Sequence, residues 1–530
     1  MTRAARWPRA ALGLVLALLA AVIAACSGPA PPFAIVAGSE NQSLEPIVTA
    51  FCRQRNVDCR ITYRGSLDIA FGLNGTAELD ADAVWPAASL WIDVFDTGRR
   101  VKSVKSVAQL PLILGVRRSR AEALGWIGKP VSTRDILAAV EAGRLKFLMT
   151  SATQSNSGAA AYLAMLATGL GKSADPITMD DLENNDVRSH VKGLLRGVER
   201  TAGSSGWLAD LYVQGEEGGQ RFDAMWNYEA TIKATNDTLV AAGREPLYAI
   251  YPSDGIIVSD SPLGFIERGR GAAIETFFAA LQAHLLEPSV QRRIAETGRR
   301  MIVGEKSPLA ADPRTNLDPN RPLAVVRPPD PAVIRKALAL YQEALRKPSL
   351  TAMCLDLSGS MQGLGERQLL EAVTSLFTPA TAREFLVQWS PSDEIIVLPF
   401  DGRVRWTEKV GGSDSDQARL LARMLQLKAG GGTDFYTCAA EALAAMKAGL
   451  AKGEHLPAIV IMTDGKSQGS LQAFEALWRA EPKQVPVFGV TFGDGADRKQ
   501  LELLAKLTGG RVFDGTKNLA EAFRTLRGYN

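Results

Sequence analysis

The last third of the chain alternates short apolar runs with segments of helical periodicity, and this pattern restricts the fold more than any other. Apolar runs at residues 352–355, 395–400, 458–462 and 485–491 carry the Val, Ile and Leu of strands buried on both faces. A short antiparallel edge strand is expected within residues 403–410. Helices are expected at about 366–376, 416–427, 435–450, 470–480, 498–507 and 518–527. This alternation predicts a doubly wound α/β domain with a mainly parallel sheet.

Polar side chains follow two of these strands directly. The stretch TAMCLDLSGSM ends its apolar run with Asp356, Ser358 and Ser360, and a later strand ends at Asp464. Asp and Ser also populate turns and helix N-caps, so the first three residues alone are weak evidence for a metal site. A run of glycines that ends at Thr433 adds a further hydroxyl group and strengthens the evidence for a metal site. Because parallel strands present their carboxyl ends at one edge, we expect these oxygens to converge and to suit a hard divalent cation.

The motifs DLSGS, GGTD and MTDG, in this order and on these elements, resemble the metal-ion-dependent adhesion site of von Willebrand factor type A (VWA) domains. The resemblance implies that Ser358, Ser360 and Thr433 bind Mg²⁺, or Mn²⁺ or Ca²⁺, directly or through water. It implies that Asp356 and Asp464 are carboxylates at or just behind the cation. Neutral hydroxyls leave such a cation electron-poor and with room for one more ligand, which a carboxylate of a partner protein would supply.

The N-terminus has the organisation of an export signal. Arg3, Arg6 and Arg9 precede an apolar segment at residues 10–25, which is too short for a comfortable membrane span. The residues IAAC that end at Cys26 resemble the lipobox of bacterial lipoproteins, in which the cysteine is acylated after cleavage. We therefore expect a signal peptide at 1–26 and a tether at 27–32, with the mature protein lipid-anchored outside the cytoplasm, in the periplasm or at the cell surface.

Residues 33–306 show several strands that end in polar turns leading to helices. The strand at 33–38 runs into SEN, the segment at 83–91 carries two tryptophans, and the strand at 146–150 breaks into hydroxyls and amides. A strongly apolar strand at 108–117 is expected to be central. This recurrence predicts an open α/β sheet with a ligand cleft at the carboxyl ends of its strands.

The order of GSEN, DAVWPAASLW, TSATQSNSG, WNYE, PLYAIYPSDGIIV and SVQRRIAETGRR resembles bacterial extracellular solute-binding proteins, in which two α/β lobes close on a small solute. Hydroxyls and amides without a cluster of Arg or Lys suit an uncharged polar solute or an oxyanion held by neutral donors. Three alternatives stay open: the first turn is only a helix cap, Tyr228 and Glu229 brace a hinge, or the cleft no longer binds a solute. The resemblance implies these cleft-lining residues: Ser39, Asn41, Trp85, Thr153, Ser155, Ser157, Tyr228 and Glu229.

Proline recurs every few residues at 307–331, which predicts an extended linker between the two domains. A helix that leads into the second domain, 332–530, is expected to pack on that domain. Cys52 and Cys59 flank a turn and could form a disulfide in an oxidising compartment, whereas Cys354 is expected to be a small buried hydrophobe.

Several function classes lack support in the sequence. The net charge is +3 and no basic run lies outside the N-terminus, so nucleic acid is not an implied partner. A GxSxG spacing occurs at residues 465–469, but no GxxxxGK[ST] or HExxH motif is present, and we do not expect an enzyme. The favoured hypothesis is an exported binding protein whose second domain holds a partner's acidic group through a cation. The alternative is the solute-binding component of an ABC-type transporter.

Overall fold

The computed structural model describes residues 32–75, 79–172, 174–218, 220–302, 306–492, 496–516 and 519–528. The expected signal peptide and Cys26 lie outside the described residues. Within these residues, no helix combines the length and the apolarity needed to cross a bilayer. The strands are β1 (Phe33–Gly38), β2 (Cys59–Arg64), β3 (Ala83–Trp85), β4 (Val101–Ser106), β5 (Leu110–Arg117), β6 (Phe147–Thr150), β7 (Val198–Ala202), β8 (Ala224–Tyr228), β9 (Leu247–Ile250), β10 (Val258–Ser259), β11 (Pro262–Ile266), β12 (Ser349–Asp356), β13 (Glu394–Phe400), β14 (Glu408–Gly411), β15 (Leu456–Thr463), β16 (Val487–Thr491) and β17 (Val512–Asp514).

Helices cover the faces of the sheets, and short helical turns lie at Ser39–Leu44, Asp180–Glu183, Tyr341–Leu345 and Gly359–Met361. The α-helices are α1 (Glu45–Gln54), α2 (Ser66–Leu73), α3 (Leu90–Phe95), α4 (Arg118–Ala123), α5 (Thr133–Glu141), α6 (Asn156–Leu170), α7 (Asn185–Leu195), α8 (Ser205–Gly218), α9 (Glu229–Ala241), α10 (Ala272–Leu285), α11 (Pro288–Glu296), α12 (Pro331–Leu340), α13 (Leu364–Phe377), α14 (Pro379–Glu384), α15 (Asp414–Met424), α16 (Phe435–Lys452), α17 (Leu471–Ala480), α18 (Arg498–Thr508) and α19 (Leu519–Leu526).

The first domain consists of two lobes, each built on its own sheet. The first lobe has the strand order β2-β1-β3-β11-β4, and the second lobe has the order β10-β5-β8-β6-β7 with β9 also paired to β5. The apolar strand β5 is central in the second lobe, as its sequence predicted. The chain passes between the lobes at two crossovers, after β4 and after β10, where Val107 N–H donates to Ser261 O at 3.1 Å. The two-lobed fold predicted from the sequence is confirmed.

The C-terminal domain contains a third sheet in the order β14-β13-β12-β15-β16-β17. All neighbouring pairs are parallel except β13 and β14, so the expected antiparallel edge strand is present at Glu408–Gly411. Apolar cores lie on both faces of the sheet, under helices on either side. The predicted doubly wound fold is confirmed, and α14 is an additional helix that the sequence pattern did not indicate.

The proline-rich segment lies along the second lobe instead of crossing open solvent. Ala249 N–H donates to Thr315 O at 2.7 Å, and Ile256 exchanges backbone hydrogen bonds with Ala324 O and Val326 N–H at 2.8 and 2.7 Å. An extended backbone rich in proline still has carbonyl groups and some N–H groups that need hydrogen-bond partners, and backbone groups of the second lobe provide these partners. The segment is therefore part of the surface of the second lobe.

Helix α12 packs on the two lobes, although we expected it to pack on the C-terminal domain. Its apolar stripe, which includes Ile334 and Ala337, is buried in the same core cluster as residues of α3 and α6. Tyr162 Oη of α6 donates to Ala337 O at 2.8 Å. Arg335 donates to Val94 O of α3, and its guanidinium lies 5.8 Å from the Phe95 ring centre. α12 therefore bridges the two lobes.

Both cysteine pairs of the described chain form disulfides. Cys52 at the end of α1 is bonded to Cys59 at the start of β2. The expectation that Cys354 is only a small buried hydrophobe is wrong, because Cys354 is bonded to Cys438 of α16. Helix α16 packs directly on β12 and brings the two Cα atoms within 6.1 Å, which is inside disulfide reach.

Replacing both Cys354 and Cys438 by Ala is expected to lower the free energy of unfolding of the C-terminal domain by about 2–4 kcal/mol, because the crosslink restricts the unfolded chain. The bond spans a sequence separation of 84, against 7 for Cys52 and Cys59. Differential scanning calorimetry of the full chain would measure the loss. The Cys52→Ala, Cys59→Ala variant is the control, and an equal loss in both variants would contradict the prediction.

Candidate functional site

Strand β12 ends at Asp356, next to the parallel strand β15 that leads to Asp464. The register pairs Leu355 with Met462, so both carboxylates leave the sheet at the same edge. The apolar runs hold these strands in the core, and the chain can turn polar only where the strands end. The two carboxylates are thereby fixed by the sheet and do not depend on a flexible loop.

The five residues predicted to hold a cation come together at this edge. Ser358 and Ser360 have hydroxyl oxygens 3.0 Å apart, and Ser360 Oγ donates to Asp464 Oδ1 at 2.7 Å. Asp356 accepts the Ser358 N–H through Oδ1 at 2.8 Å and the Thr463 hydroxyl through Oδ2 at 2.5 Å. These hydrogen bonds fix both carboxylates and the two serines in one network.

Thr433 borders the same space from the glycine loop. A methyl group on Gly465 would lie 3.2 Å from Thr433 Oγ1 and 3.6 Å from Ser360 Oγ. The absence of a side chain at Gly465 therefore keeps a small space between the two hydroxyls. Asp434, the next residue, does not join them, because its carboxylate caps α16 by accepting the Thr437 N–H at 3.0 Å.

Arg405 is a supporting residue that the sequence analysis missed. Its Nη2 donates to Leu357 O at 3.0 Å and to Gly430 O at 2.9 Å, and its Nε donates to Asp401 Oδ2 at 2.9 Å. Arg405 thus joins the loop after β12, the glycine loop and the end of β13. No sequence motif could have indicated this role, because three of its four acceptors, Leu357 O, Lys428 O and Gly430 O, are backbone carbonyls.

The electrostatics of the site favour a bound cation. Burial, with a smaller contribution from the neighbouring Asp464 carboxylate, raises the pKa of Asp356 to about 6, against the opposing effect of the hydrogen bonds from Thr463 and Ser358. Burial also raises the pKa of Asp464. Among the described residues, no basic side chain acts on either carboxylate, and no group of three or more His, Cys, Asp or Glu side chains gathers as a metal site. Oxygen donors of mixed carboxylate and hydroxyl type fit Mg²⁺, whose charge would offset the cost of burying both carboxylates.

In the first lobe, only one of the predicted cleft residues borders open space. Ser39 is half-buried, accepts the Gly206 N–H at 3.0 Å and lies 3.3 Å from Ser205 Oγ of the second lobe. Asn41 donates to Trp85 O at 3.1 Å, and Trp85 Nε1 donates to the Ser261 hydroxyl at 3.0 Å. Asn41 and Trp85 are buried, and their polar groups are used within the protein.

In the second lobe, the predicted hydroxyls also bond to one another. Thr153 Oγ1 lies 3.1 Å from the Ser151 hydroxyl, Ser155 Oγ lies 3.3 Å from Ser157 Oγ, and Ser157 lies 2.7 Å from Thr150 Oγ1. All of these side chains are buried. The run of polar residues after β6 therefore stabilises its own turn and the start of α6.

Tyr228 and Glu229 serve internal contacts, as the hinge alternative implies. Glu229 pairs with Arg300, whose Nε lies 2.8 Å from Oε2, and accepts the Tyr251 hydroxyl. Arg300 also exchanges backbone hydrogen bonds with Gln109, in the crossover between the lobes. Tyr228 Oη accepts from Asn156 Nδ2 at 2.8 Å. Glu229 thus braces the crossover.

A cavity of about 700 Å³ lies where the first lobe, the second lobe and the C-terminal domain meet, a volume typical of small-molecule sites. The sequence analysis did not anticipate it, because its walls come from three separate parts of the chain. Its lining includes Ser39 and Tyr63 of the first lobe, Ser204 and Asp210 of the second, and Arg511 and Phe513 of the C-terminal domain.

Replacing Gly465 by Ala is expected to weaken divalent-cation binding without removing a ligand, because the added methyl group would crowd Thr433 and Ser360. Isothermal titration of the full chain with Mg²⁺ and Mn²⁺ would measure the affinity. Gly402→Ala is the matched control, since its methyl group would come no closer than 3.9 Å to any neighbouring atom. Unchanged affinity in Gly465→Ala would show that the cation does not bind between these hydroxyls.

Comparison with known proteins agrees with both halves of this architecture. The model of the family "Bacterial extracellular solute-binding protein" matches residues 34–300, just over half of the 530 residues, and that of the "von Willebrand factor type A domain" matches 353–513.

Three solved structures illustrate the similarity. The sulfate-binding protein SubI from Mycobacterium tuberculosis is 17% identical over 56% of this chain and 93% of its own, with a TM-score of 0.39. Iron-bound HitA from Pseudomonas aeruginosa is 13% identical over 58% and 98%, with a TM-score of 0.42. A von Willebrand factor type A protein from Catenulispora acidiphila is 16% identical over 35% and 43%, with a TM-score of 0.30. A comparison with curated proteins gave no match. The chain therefore belongs to the bacterial extracellular solute-binding protein family, and a VWA domain follows its two lobes.

Proposed function

We propose that this protein is an exported, lipid-anchored binding protein whose VWA domain uses a divalent cation to hold an acidic group of a partner protein. The observation that carries the proposal is the meeting of Asp356, Ser358, Ser360, Thr433 and Asp464 around the space above Gly465. Membership of the extracellular solute-binding family supports a location outside the cytoplasm. Acylation of Cys26 would supply the anchor.

The site would act by holding a cation with a free coordination position. Thr463 and the Ser358 N–H fix Asp356, and Ser360 fixes Asp464, so the protein's own oxygens are arranged before a cation binds. Neutral hydroxyls from Ser358, Ser360 and Thr433 would leave much of the cation's charge unbalanced, and a partner's carboxylate would balance it. Solute-binding and VWA domains are typically binding domains, and the proposed role requires no catalysis.

The surroundings of the site favour an acidic partner. Ser360 is exposed, so a cation beside it can be reached from solvent. Lys466, two residues after Asp464, is exposed, as is Arg403 on the loop that contacts the glycine run. Leu364, at the start of α13, is 61% exposed and could pack against an apolar group beside the partner's carboxylate. Basic groups around a cation would attract an acidic segment over a distance of about a Debye length.

Capture of envelope proteins by the full chain in Mg²⁺ is expected to disappear in EDTA and in the Asp356→Ala and Thr433→Ala variants. Immobilised protein and quantitative mass spectrometry would identify the lost partners. Asp414→Asn, which changes an exposed carboxylate on α15, is the control and should capture as the wild type does. Partners that remain bound both in EDTA and with Asp356→Ala would contradict a cation-dependent contact.

The family match favours a second candidate, the solute-binding component of an ABC-type transporter for a small polar solute or oxyanion. In that case a solute would enter beside Ser39, and the VWA domain would recruit a partner. A panel of sugars, amino acids, polyamines and inorganic oxyanions should then include a compound that raises the melting temperature of the full chain. A panel without any such compound would remove this candidate and leave the adhesion hypothesis unaffected.

A further inference from the structure

The two lobes touch through buried polar contacts at the place where a solute-binding cleft would open. Trp91 Nε1 of the first lobe donates to Asn156 Oδ1 of the second at 2.7 Å, and both side chains are buried. Leu67 N–H donates to Gln154 O across the same interface at 3.1 Å. Asn156 also donates to Tyr228 and Ser259, so its amide is used in full within the protein. The lobes are closed against each other.

Glu40 places a carboxyl group at the centre of this interface. It follows β1 of the first lobe, is only 9% exposed, and its Oε2 accepts the Ser205 hydroxyl of the second lobe at 3.2 Å. Ser205 is the first residue of α8, a helix of 14 residues whose N-terminus attracts negative charge. Glu40 Oε1 has no hydrogen-bond partner among the described residues.

The groups around Glu40 are those expected to bind an oxyanion through neutral donors. They include the hydroxyl of Ser205 and the hydroxyl of Ser39, which itself accepts the Gly206 N–H. Arg299 is the nearby cation, but its Nη2 donates to the backbone oxygen of Glu40 and not to the carboxylate. A free oxyanion at this position would compete with Glu40 for the Ser205 hydroxyl and for the space between the lobes.

Helix α12 closes the lobes from the outside. It bonds to the first lobe through Arg335 and Val94, and to the second through Tyr162 and Ala337. Movement of one lobe away from the other would break these contacts and expose the apolar stripe of α12. An internal carboxyl group and an external helix therefore oppose opening independently.

We propose that Glu40 is an internal ligand that takes the interlobe position of an oxyanion solute, so that the lobes, clamped by α12, stay closed and serve as a rigid support for the VWA domain. This inference concerns the lobes and does not depend on the cation site.

The first test is isothermal titration of the full chain with sodium sulfate and sodium molybdate. Wild-type protein is expected to give no binding heat, whereas Glu40→Ala, which vacates the position beside Ser205 and Gly206, is expected to bind one anion per chain. Glu275→Ala, an exposed carboxylate on α10 of the same lobe, is the control and should behave as the wild type does. Binding of either anion to the wild type as tightly as to Glu40→Ala would overturn the proposal.

Glu40→Gln keeps the size of the side chain and gives a second readout if Glu40→Ala does not fold. Burial raises the pKa of Glu40 from 4.5 to about 7, against the opposing effects of Arg299 and Ser205, and Tyr228 also faces the carboxyl group. The pKa of Glu40 is higher in the folded protein than in the unfolded chain. Protonated Glu40 therefore contributes its full stabilisation of the fold below about pH 4.5, and this stabilisation is lost as the pH rises through about 7.

The melting temperature of the wild type should therefore fall more between pH 5 and pH 8 than that of Glu40→Gln, measured by calorimetry with Glu275→Gln as control. Equal pH dependence in wild type and Glu40→Gln would show that Glu40 is not held in the closed interface, and would overturn the proposal.

Discussion

A carboxyl group removed from water must gain hydrogen-bond donors or a positive charge, or it becomes protonated. Both halves of this protein place such a group where a parallel strand ends. Asp356 is the last residue of β12 and accepts hydrogen bonds from the Thr463 hydroxyl and the Ser358 N–H. Glu40 follows β1 and receives the Ser205 hydroxyl at the start of α8. In both cases burial raises the pKa, so the donors present do not fully replace water.

The connection between the domains supports a fixed presentation of the VWA site. The proline-rich segment is bonded along the second lobe, and α12 is buried across both lobes before the chain enters β12. Few backbone torsions remain free between the lobes and the strand that ends at Asp356. The disulfide from Cys354 to Cys438 further joins this strand to α16, which begins just after Thr433. A partner that binds a site held in this way loses little free energy to ordering it.

Sequence patterns predicted the parts of the protein that depend on local information. Runs of Val, Ile and Leu indicated the strands, their polar ends indicated Asp356 and Asp464 because parallel strands end at one edge, and the glycine run indicated Thr433. Contacts between residues that are distant in the sequence could not be predicted. Examples are the disulfide between Cys354 and Cys438, the packing of α12 on both lobes, and the hydrogen bonds from Arg405 to carbonyls of two loops. The hydroxyls after β6 carry no local sign of whether they face a solute or one another. Glu40 lay within the GSEN motif, but only the fold shows that it meets Ser205.

The two buried carboxyl sites differ in what remains open to solvent, and this difference supports the proposal that the VWA domain has the binding role. Beside Asp356 and Asp464, Ser360 is exposed, so the missing positive charge can come from outside. Glu40 is buried between the two lobes, and the donor to its carboxyl group belongs to the protein itself. A position that the protein's own carboxyl group already fills leaves little room for a free solute, whereas a site that lacks a charge gains from a cation and then from an anionic partner. The VWA domain is therefore the half of the protein in which an external ligand would release the most free energy.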